Sequence, residues 1–294
     1  MVAEVLANLD PIVRIHECRY VGMGSIFFRD FQLLHRRLGI NDMVTVEGQW
    51  AAESRIKFNM PLACIDLMMD TAGAALAKLR LEERPHVIWL DYESRLNRSV
   101  LSDIEESIGR CAAGSVVLAS INVDRVSGEE RDKWLSEFGD VRDRPDPSDP
   151  RGRKEYALLS YRLLRESIQD AVRSRNAALP RGRRVEFRQI LHLIYSDGSQ
   201  MLTVGGAIVG NSGIGKWQQC GIESLEFTRE GEESYSVSIP ALTRREARYL
   251  LSRVPGSDGA LTEAAERIGI PEKDAKQFAS IYRFAPLFVE AEDW

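Results

Sequence analysis

The chain has 294 residues, 44% of them hydrophobic and 28% charged, and carries a formal net charge of −5. That composition belongs to a folded globular protein, either one large domain or one domain with an appendage, and it excludes a disordered or fibrous chain. No apolar run approaches the roughly 18 residues of a membrane helix, and the opening MVAEVLANLDP carries Glu4 and Asp10 where a signal peptide would be basic and then apolar.

Cys18, Cys64, Cys111 and Cys220 are far apart and show neither the clustering of a disulfide framework nor the spacing of a zinc site. Three sit in apolar surroundings, where a reduced cysteine acts as a small hydrophobe. The expectation is a cytoplasmic protein without a membrane partner.

From His16 to Val123 short apolar runs alternate with amphipathic stretches. CRYVGM, MVTVE, ACIDLMM, HVIWLDY and SVVLASINV read as strands. SIFFRDFQLLHRRL, WAAESRIKFN, AGAALAKLR and SVLSDIEESIGRC, lying between them, place apolar residues at helical spacing. Apolar strands alternating with helices predict an α/β fold, a doubly wound, mostly parallel sheet covered on both faces.

Asp140–Lys154 (DVRDRPDPSDPRGRK) mixes prolines with charge and reads as an exposed loop. A long helix follows over about Tyr156–Ala178, then two apolar runs around Ser196-Asp197-Gly198, the signal of an antiparallel hairpin. GNSGIGKWQQCG reads as a flexible loop, and SLEFTREGEESYSVSIP as a second hairpin turning at Glu230-Gly231. Thr243 and Glu246 form a capping box that opens the first of three short C-terminal helices. The expected division is 1–210 for the α/β core and 211–294 for a hairpin with a small helical appendage.

Between Arg151 and Arg188 there are eleven Lys/Arg against four Asp/Glu, a local balance of +7 on an otherwise acidic chain. Such a stretch can meet phosphate-rich partners such as nucleic acid. The solvated face of a long helix explains it equally, and that reading is preferred.

The sharpest constellation is Tyr20-Val-Gly-Met-Gly-Ser25, which follows a strand and opens a helix. Gly22 and Gly24 allow a tight turn and close approach of a ligand to the backbone, with Met23 and Ser25 on the same loop. Glu47, followed by Gly48, stands 23 residues past Gly24 at the end of the second strand, where an acidic side chain can accept both ribose hydroxyls of a nucleoside. Asp91-Tyr92 ends the fourth strand, at the mouth where open α/β sheets bind ligands. His16, His35, His86 and His192 form no ligand set and read as structural, as does Asn59-Met-Pro61. Lys216-Trp217 could form a lid or a plain linker, and Tyr282-Arg283-Phe284 with Pro286 and Phe288 reads as an anchor for the C-terminal helices.

YVGMGS, MVTVEG and WLDYES resemble three motifs of the class I S-adenosylmethionine-dependent methyltransferases. VGMGSIFFRDF, IKFNMP, VIWLDYESRL and IYRFAPLF are similar, more narrowly, to a family of bacterial O-methyltransferases of poorly defined biochemistry. The resemblance implies a Rossmann-like core closing in an antiparallel hairpin, with S-adenosylmethionine across Gly22, Met23, Gly24, Ser25, Glu47 and Gly48. It implies Asp70 near the adenine and Asp91 and Tyr92 as the catalytic pair, Asp91 to orient the acceptor or act as base and Tyr92 to stack on it or hydrogen-bond it. No metal is expected, since the histidines form no ligand set. Two positions depart from the pattern: Tyr20 stands where a carboxylate is usual, and Ile26 where a third glycine is. Arg29 or Asp30 could stand in for the missing charge. Otherwise the cofactor site is degenerate and the protein is a binding or scaffold subunit, its C-terminal helices meeting a protein partner in a bacterial complex. Antiviral defence is the association some such proteins carry.

Overall fold

A computed structural model describes residues 1–124, 128–138 and 153–284. Most of the expected Asp140–Lys154 loop, together with Pro286 and Phe288, lies outside the described residues.

In chain order the elements are α1 (Val2–Asn8), β1 (Arg19–Gly22), α2 (Arg29–Leu38), β2 (Met43–Glu47), α3 (Glu53–Asn59), β3 (Ile65–Met69) and α4 (Ala72–Lys78). Then come β4 (His86–Arg95), α5 (Arg98–Arg110), β5 (Val116–Asn122), α6 (Gly128–Glu137), α7 (Arg153–Ala177), β6 (Val185–Asp197) and β7 (Ser199–Gly210). The chain ends with α8 (Asn211–Ile214), β8 (Tyr235–Val237), α9 (Arg244–Leu251), α10 (Asp258–Ile268) and α11 (Glu272–Ile281).

The strands form one sheet in the order β3-β2-β1-β4-β5-β7-β6-β8. β1 to β5 pair in parallel, and β7 runs antiparallel to both β5 and β6. The doubly wound, mostly parallel core with a closing antiparallel hairpin is the expected fold. Side chains alternate across it, as the two-residue period of a strand requires. Val21, Val44, Val46, Ile88, Leu90, Val117 and Ala119 pack in one apolar cluster with Leu76, Ile104, Ile108 and Leu164 of α4, α5 and α7. Tyr20, on the alternate face of β1, meets Phe31 of α2 edge-on, with ring centroids 4.8 Å apart. Both faces are therefore covered, which is why β2 is buried at all five positions.

The order reverses beside β1, with β2 on one side and β4 on the other. At such a switch point the loops after the strands diverge and leave a crevice at the carboxyl end of the sheet. Local capping fixes where the helices start. Thr71 and Asn97 accept the Ala74 and Val100 backbone N–H groups at the starts of α4 and α5, and the predicted capping box of Thr243 and Glu246 is present.

Three expectations change. The helix after the glycine loop begins at Arg29 rather than Ser25, because Ser25 and Phe28 both take left-handed backbone angles (φ of 53° and 51°) that no helix continues. SLEFTREGEESYSVSIP is not a hairpin: its only strand is Tyr235–Val237, preceded by a short 3-10 turn at Ile222–Ser224. The chain divides into compact units at 1–235 and 236–294, not at 210/211. Trp217, Cys220, Ile222 and Phe227 are buried, which keeps the segment after β7 with the first unit. In the second unit Leu250, Ala264, Ala265, Ala275 and Phe278 of α9, α10 and α11 form a separate small core.

No helix among the described residues is long and apolar enough to cross a membrane. All four cysteines are unpaired, with Cys18, Cys111 and Cys220 buried.

Candidate active site

The cleft at the carboxyl ends of β1, β2, β3 and β4 encloses a cavity of about 290 Å³. Met23, Ser25, Glu47, Gly48, Asp70, Asp91 and Tyr92, seven of the nine residues singled out from the sequence, line it together. Gly22 lines a smaller apolar void beside it with Met23, Val46 and Trp89. Gly24 faces inward instead. A Cβ there would stand 2.6 Å from the Phe28 ring, so its lack of a side chain serves the packing of this loop.

Glu47 ties the cleft together. Its Oε1 accepts the Ser25 backbone N–H at 2.7 Å and the Thr45 hydroxyl at 3.0 Å. Thr45 Oγ in turn accepts the Gly24 N–H at 3.0 Å. Two strand residues on one face thus hold the loop that follows β1 and account for the left-handed turn at Ser25. Burial raises the Glu47 carboxyl above its ordinary value, against the hydrogen bonds from Thr45 and Ser25.

Tyr20 is fully buried beneath the glycine loop, and its hydroxyl donates a short hydrogen bond to Asp30. A Cβ on Gly22 would overlap that hydroxyl, so the first glycine is required by the tyrosine below it. Of the two candidates for the missing charge, Arg29 is exposed and lies over the Phe27 ring. Asp30 is half-buried, raised by desolvation, and close enough to act electrostatically on both Glu47 and Asp91. A carboxylate thus sits beneath the glycine loop, held by the Tyr20 hydroxyl, though it does not itself line the cavity.

Asp91 opens onto the cavity, yet burial of its surroundings raises its carboxyl. A hydrogen bond from Ser120, its neighbour across the β4–β5 ladder, opposes the shift, and the charges of Asp30 and Glu93 add to it. Of the two roles expected of Tyr92, stacking and hydrogen bonding, only the first stays open. Its hydroxyl donates to Asp103 of α5 at 2.6 Å, and burial and that carboxylate hold the phenol far from ionisation. Only its ring remains to meet a ligand. Asp70 pairs with Lys78 and accepts the Thr71 N–H at 2.9 Å, which lowers its carboxyl.

Ile26, noted in the sequence only as a departure from the glycine pattern, also lines the cavity, and sequence reasoning missed Gln49, Ala52, Ile56 and Glu93 there. The run Gln49–Ala52 just after β2 was the available signal, since residues following a strand end at the switch point face the crevice. It also missed Asp103, buried on the apolar face of α5, where a helical-wheel argument places no acid.

The histidines hold structure. His86 Nδ1 bonds the Arg84 carbonyl at 2.7 Å, and His192 stacks on Tyr161 with ring centroids 4.0 Å apart. Asn59 donates to the Arg55 carbonyl at 2.7 Å. Trp217 is buried under Arg188, whose guanidinium lies 5.0 Å from its ring, so it is not part of a mobile lid. A larger cavity, about 500 Å³ between α7 and β6, is lined by Arg165, Arg173 and Arg188. It lies beyond β5 and β7 from the switch point and gathers none of the strand-end carboxylates, so the smaller cleft is the candidate active site. Much of the basic stretch is committed internally: Arg162 pairs with Glu232, Arg173 with Asp170, Arg188 with Glu186, and Arg175 donates to the Ile108 and Cys111 carbonyls.

The family model described as "Putative O-methyltransferase" matches residues 1–293. The chain belongs to that family. Among solved structures, this O-methyltransferase family member is similar to an O-methyltransferase from Bacillus cereus in complex with SAH, at 16% identity and a TM-score of 0.38, over 69% of this chain and 78% of that one. It is similar to TomG, an O-methyltransferase from Streptomyces achromogenes in complex with SAM, at 12% identity and 0.38, over 71% and 78%. It is also similar to a fibrillarin pre-rRNA processing protein from Methanococcus jannaschii, at 9% identity and 0.40, over 68% and 70%. Likenesses this distant carry no functional weight. A search of curated proteins finds no match.

Proposed function

We propose that the protein is an S-adenosylmethionine-dependent methyltransferase acting on a hydroxyl acceptor, with the cofactor in the β1–β4 cleft. The observation that supports this most is the chemistry of the lining. It holds four carboxylates, Glu47, Asp70, Asp91 and Glu93, with Asp30 acting on it from below, and no lysine or arginine. A cavity of that sign suits a ligand bearing a sulfonium and an ammonium group, because a cation there offsets the desolvation that raises the Glu47 and Asp91 carboxyls.

In this reading Glu47 keeps Ser25 on Oε1 and accepts a ribose hydroxyl with its other oxygen. The peptide at Gly22-Met23 passes close to the sugar, Gly48 leaves room beside it, and Asp70 with its backbone borders the base. Asp30, held by Tyr20, faces the amino-acid end. The bound cofactor supplies a methyl group on a cationic sulfur. Asp91 orients the acceptor hydroxyl and takes its proton as the oxygen attacks, and its raised carboxyl makes it a stronger base than an ordinary aspartate. The Tyr92 ring forms an apolar wall beside it. Much of the rate then comes from holding the two reactants in line.

The competing reading, a non-catalytic binding subunit, rests on the altered positions Tyr20 and Ile26, and Asp30 answers the first. Calorimetric titration of the full chain with S-adenosylmethionine separates the two. Micromolar binding that weakens at least tenfold in Glu47→Ala supports the proposal, and no detectable binding by the wild type rejects it. Localisation to the cytoplasm is part of the same proposal, drawn from the unpaired cysteines.

A further inference from the structure

The second compact unit carries a cationic surface that the methyl-transfer reading does not use. α9 places Arg245 and Tyr249 one turn apart, and Arg253 follows one turn later just beyond the helix end, so the three form a stripe at i, i+4 and i+8. The Arg253 guanidinium lies 5.2 Å from the Tyr249 ring centroid, and Arg267 reaches the same ring from α10 at 6.0 Å. Arg248 stands beside the stripe on α9. Arg245, Arg248, Arg253 and Arg267 are all exposed, and none makes an ion pair among the described residues. Two acids of this unit are engaged elsewhere: Glu246 closes the α9 capping box, and Glu272 of α11 holds Lys276.

Among the described residues no carboxylate pairs with these four guanidiniums, and like charges so gathered repel one another, a cost that an anionic partner removes. Arginine rather than lysine is present at every cationic position of the patch, and its planar fork pairs with phosphate oxygens in a bidentate way. Neighbours at i and i+4 are about 6 Å apart, a spacing that can reach successive phosphates of one strand. A membrane surface fits less well, because the apolar side of α9 is consumed by the small core around Leu250 and Phe278 and offers nothing to insert. Behind the patch α10 and α11 are joined through Gly269-Ile270-Pro271, with Gly269 in the left-handed conformation (φ 73°), so three short helices pack with a tight turn between the last two. Helix pairs joined by a short glycine-containing turn are a frequent scaffold for nucleic-acid contact.

We propose that the Arg245–Tyr249–Arg253 stripe with Arg248 and Arg267 is a sequence-independent binding surface for the phosphodiester backbone of a nucleic acid. The test is fluorescence anisotropy of the full chain with a labelled 20-base-pair DNA duplex, a 20-nucleotide single-stranded DNA and the RNA of the same sequence, at low and moderate salt. At least one of the three should bind with an affinity that falls with added salt. The double reversal Arg245→Glu/Arg253→Glu should weaken it at least tenfold and flatten the salt slope, while Arg80→Glu, an exposed arginine of the first unit, should leave it within twofold. Tyr249→Ala checks the stripe without reversing a charge and should weaken binding severalfold. No binding of any probe at low salt overturns the inference, as does equal binding by the double reversal. Displacement by polyglutamate at the same charge concentration as DNA would reassign the surface to an acidic protein and also overturn it. S-adenosylmethionine affinity, measured on the same variants, should not change, so failure here is distinguishable from failure of the methyltransferase reading.

Discussion

Replacing Tyr20 by phenylalanine removes one buried hydroxyl and nothing else from the floor of the cleft. That hydroxyl is the donor that holds Asp30 under the glycine loop, and it is itself fully buried while Asp30 is half-buried. Hydrogen bonds to charged groups contribute about 1.5–3 kcal/mol, so a loss of about 2 kcal/mol is expected. At about 2.1 cal/mol/K of unfolding entropy per residue, the 235 residues of the first unit convert this to a fall in Tm of about 4 °C. The sign with pH follows from Asp30, whose carboxyl is raised by desolvation and lowered by the Tyr20 bond. In Tyr20→Phe the lowering partner is gone and the carboxyl rises further, so the variant is penalised where Asp30 should be ionised. The penalty should shrink as the pH falls into the ordinary carboxylate range and Asp30 takes up its proton. Paired thermal melts of wild type and variant at pH 7.5 and pH 4.5 measure this. Equal stability at pH 7.5, or the same loss at both values, would refute the role given to this pair.

Gly22→Ala forces a methyl group onto the Tyr20 hydroxyl and should cost about 1–3 kcal/mol by denaturant titration, with partial rescue in Gly22→Ala/Tyr20→Phe. Tyr92→Phe leaves Asp103 without its donor and should cost about 1–3 kcal/mol while S-adenosylmethionine affinity stays within threefold, since only the ring faces the cavity. Glu47 has its carboxyl raised by burial, so the folded state holds that proton more tightly than the unfolded chain and its ionisation is destabilising as pH rises through the folded value. The Tm difference Glu47→Gln minus wild type should therefore be more positive at pH 7.5 than at pH 4.5, and a difference that moves the other way would contradict the burial argument.

The parallel core was legible because strands buried on both faces read as continuous apolar runs, as MVTVE and VVLASIN do, and because helix-spaced segments separate them. Glu47 and Asp91 were legible for a related reason: a carboxylate at the end of such a run has nowhere to point except the crevice. What the sequence hid were pairings. The stretch from Ser25 to Phe28 is apolar at helical spacing, yet the Glu47 bond to the Ser25 N–H and the burial of Phe28 against Phe31 impose left-handed angles that only the tertiary context sets. Tyr92 was expected to stack on the acceptor or to hydrogen-bond it; periodicity assigns a face but not a partner, and Asp103 takes the hydroxyl and leaves the ring. Trp217 lies in a glycine-rich segment whose composition reads as a loop, but the cation above it and the burial below turn it into structure. The division after Tyr235 was hidden for a similar reason, since the burial of Ile222 and Phe227 with the first unit is not visible in composition.

The functional reading depends most on where the cofactor sits. A crystal structure of the full chain soaked with S-adenosylhomocysteine tests that placement most directly. The expected result has the ribose hydroxyls on Glu47, the base beside Asp70 and the thioether facing Asp91, with Tyr92 still bonded to Asp103. A ligand found in the cavity between α7 and β6, or a β1–β4 cleft that stays empty at saturating concentration, would contradict it.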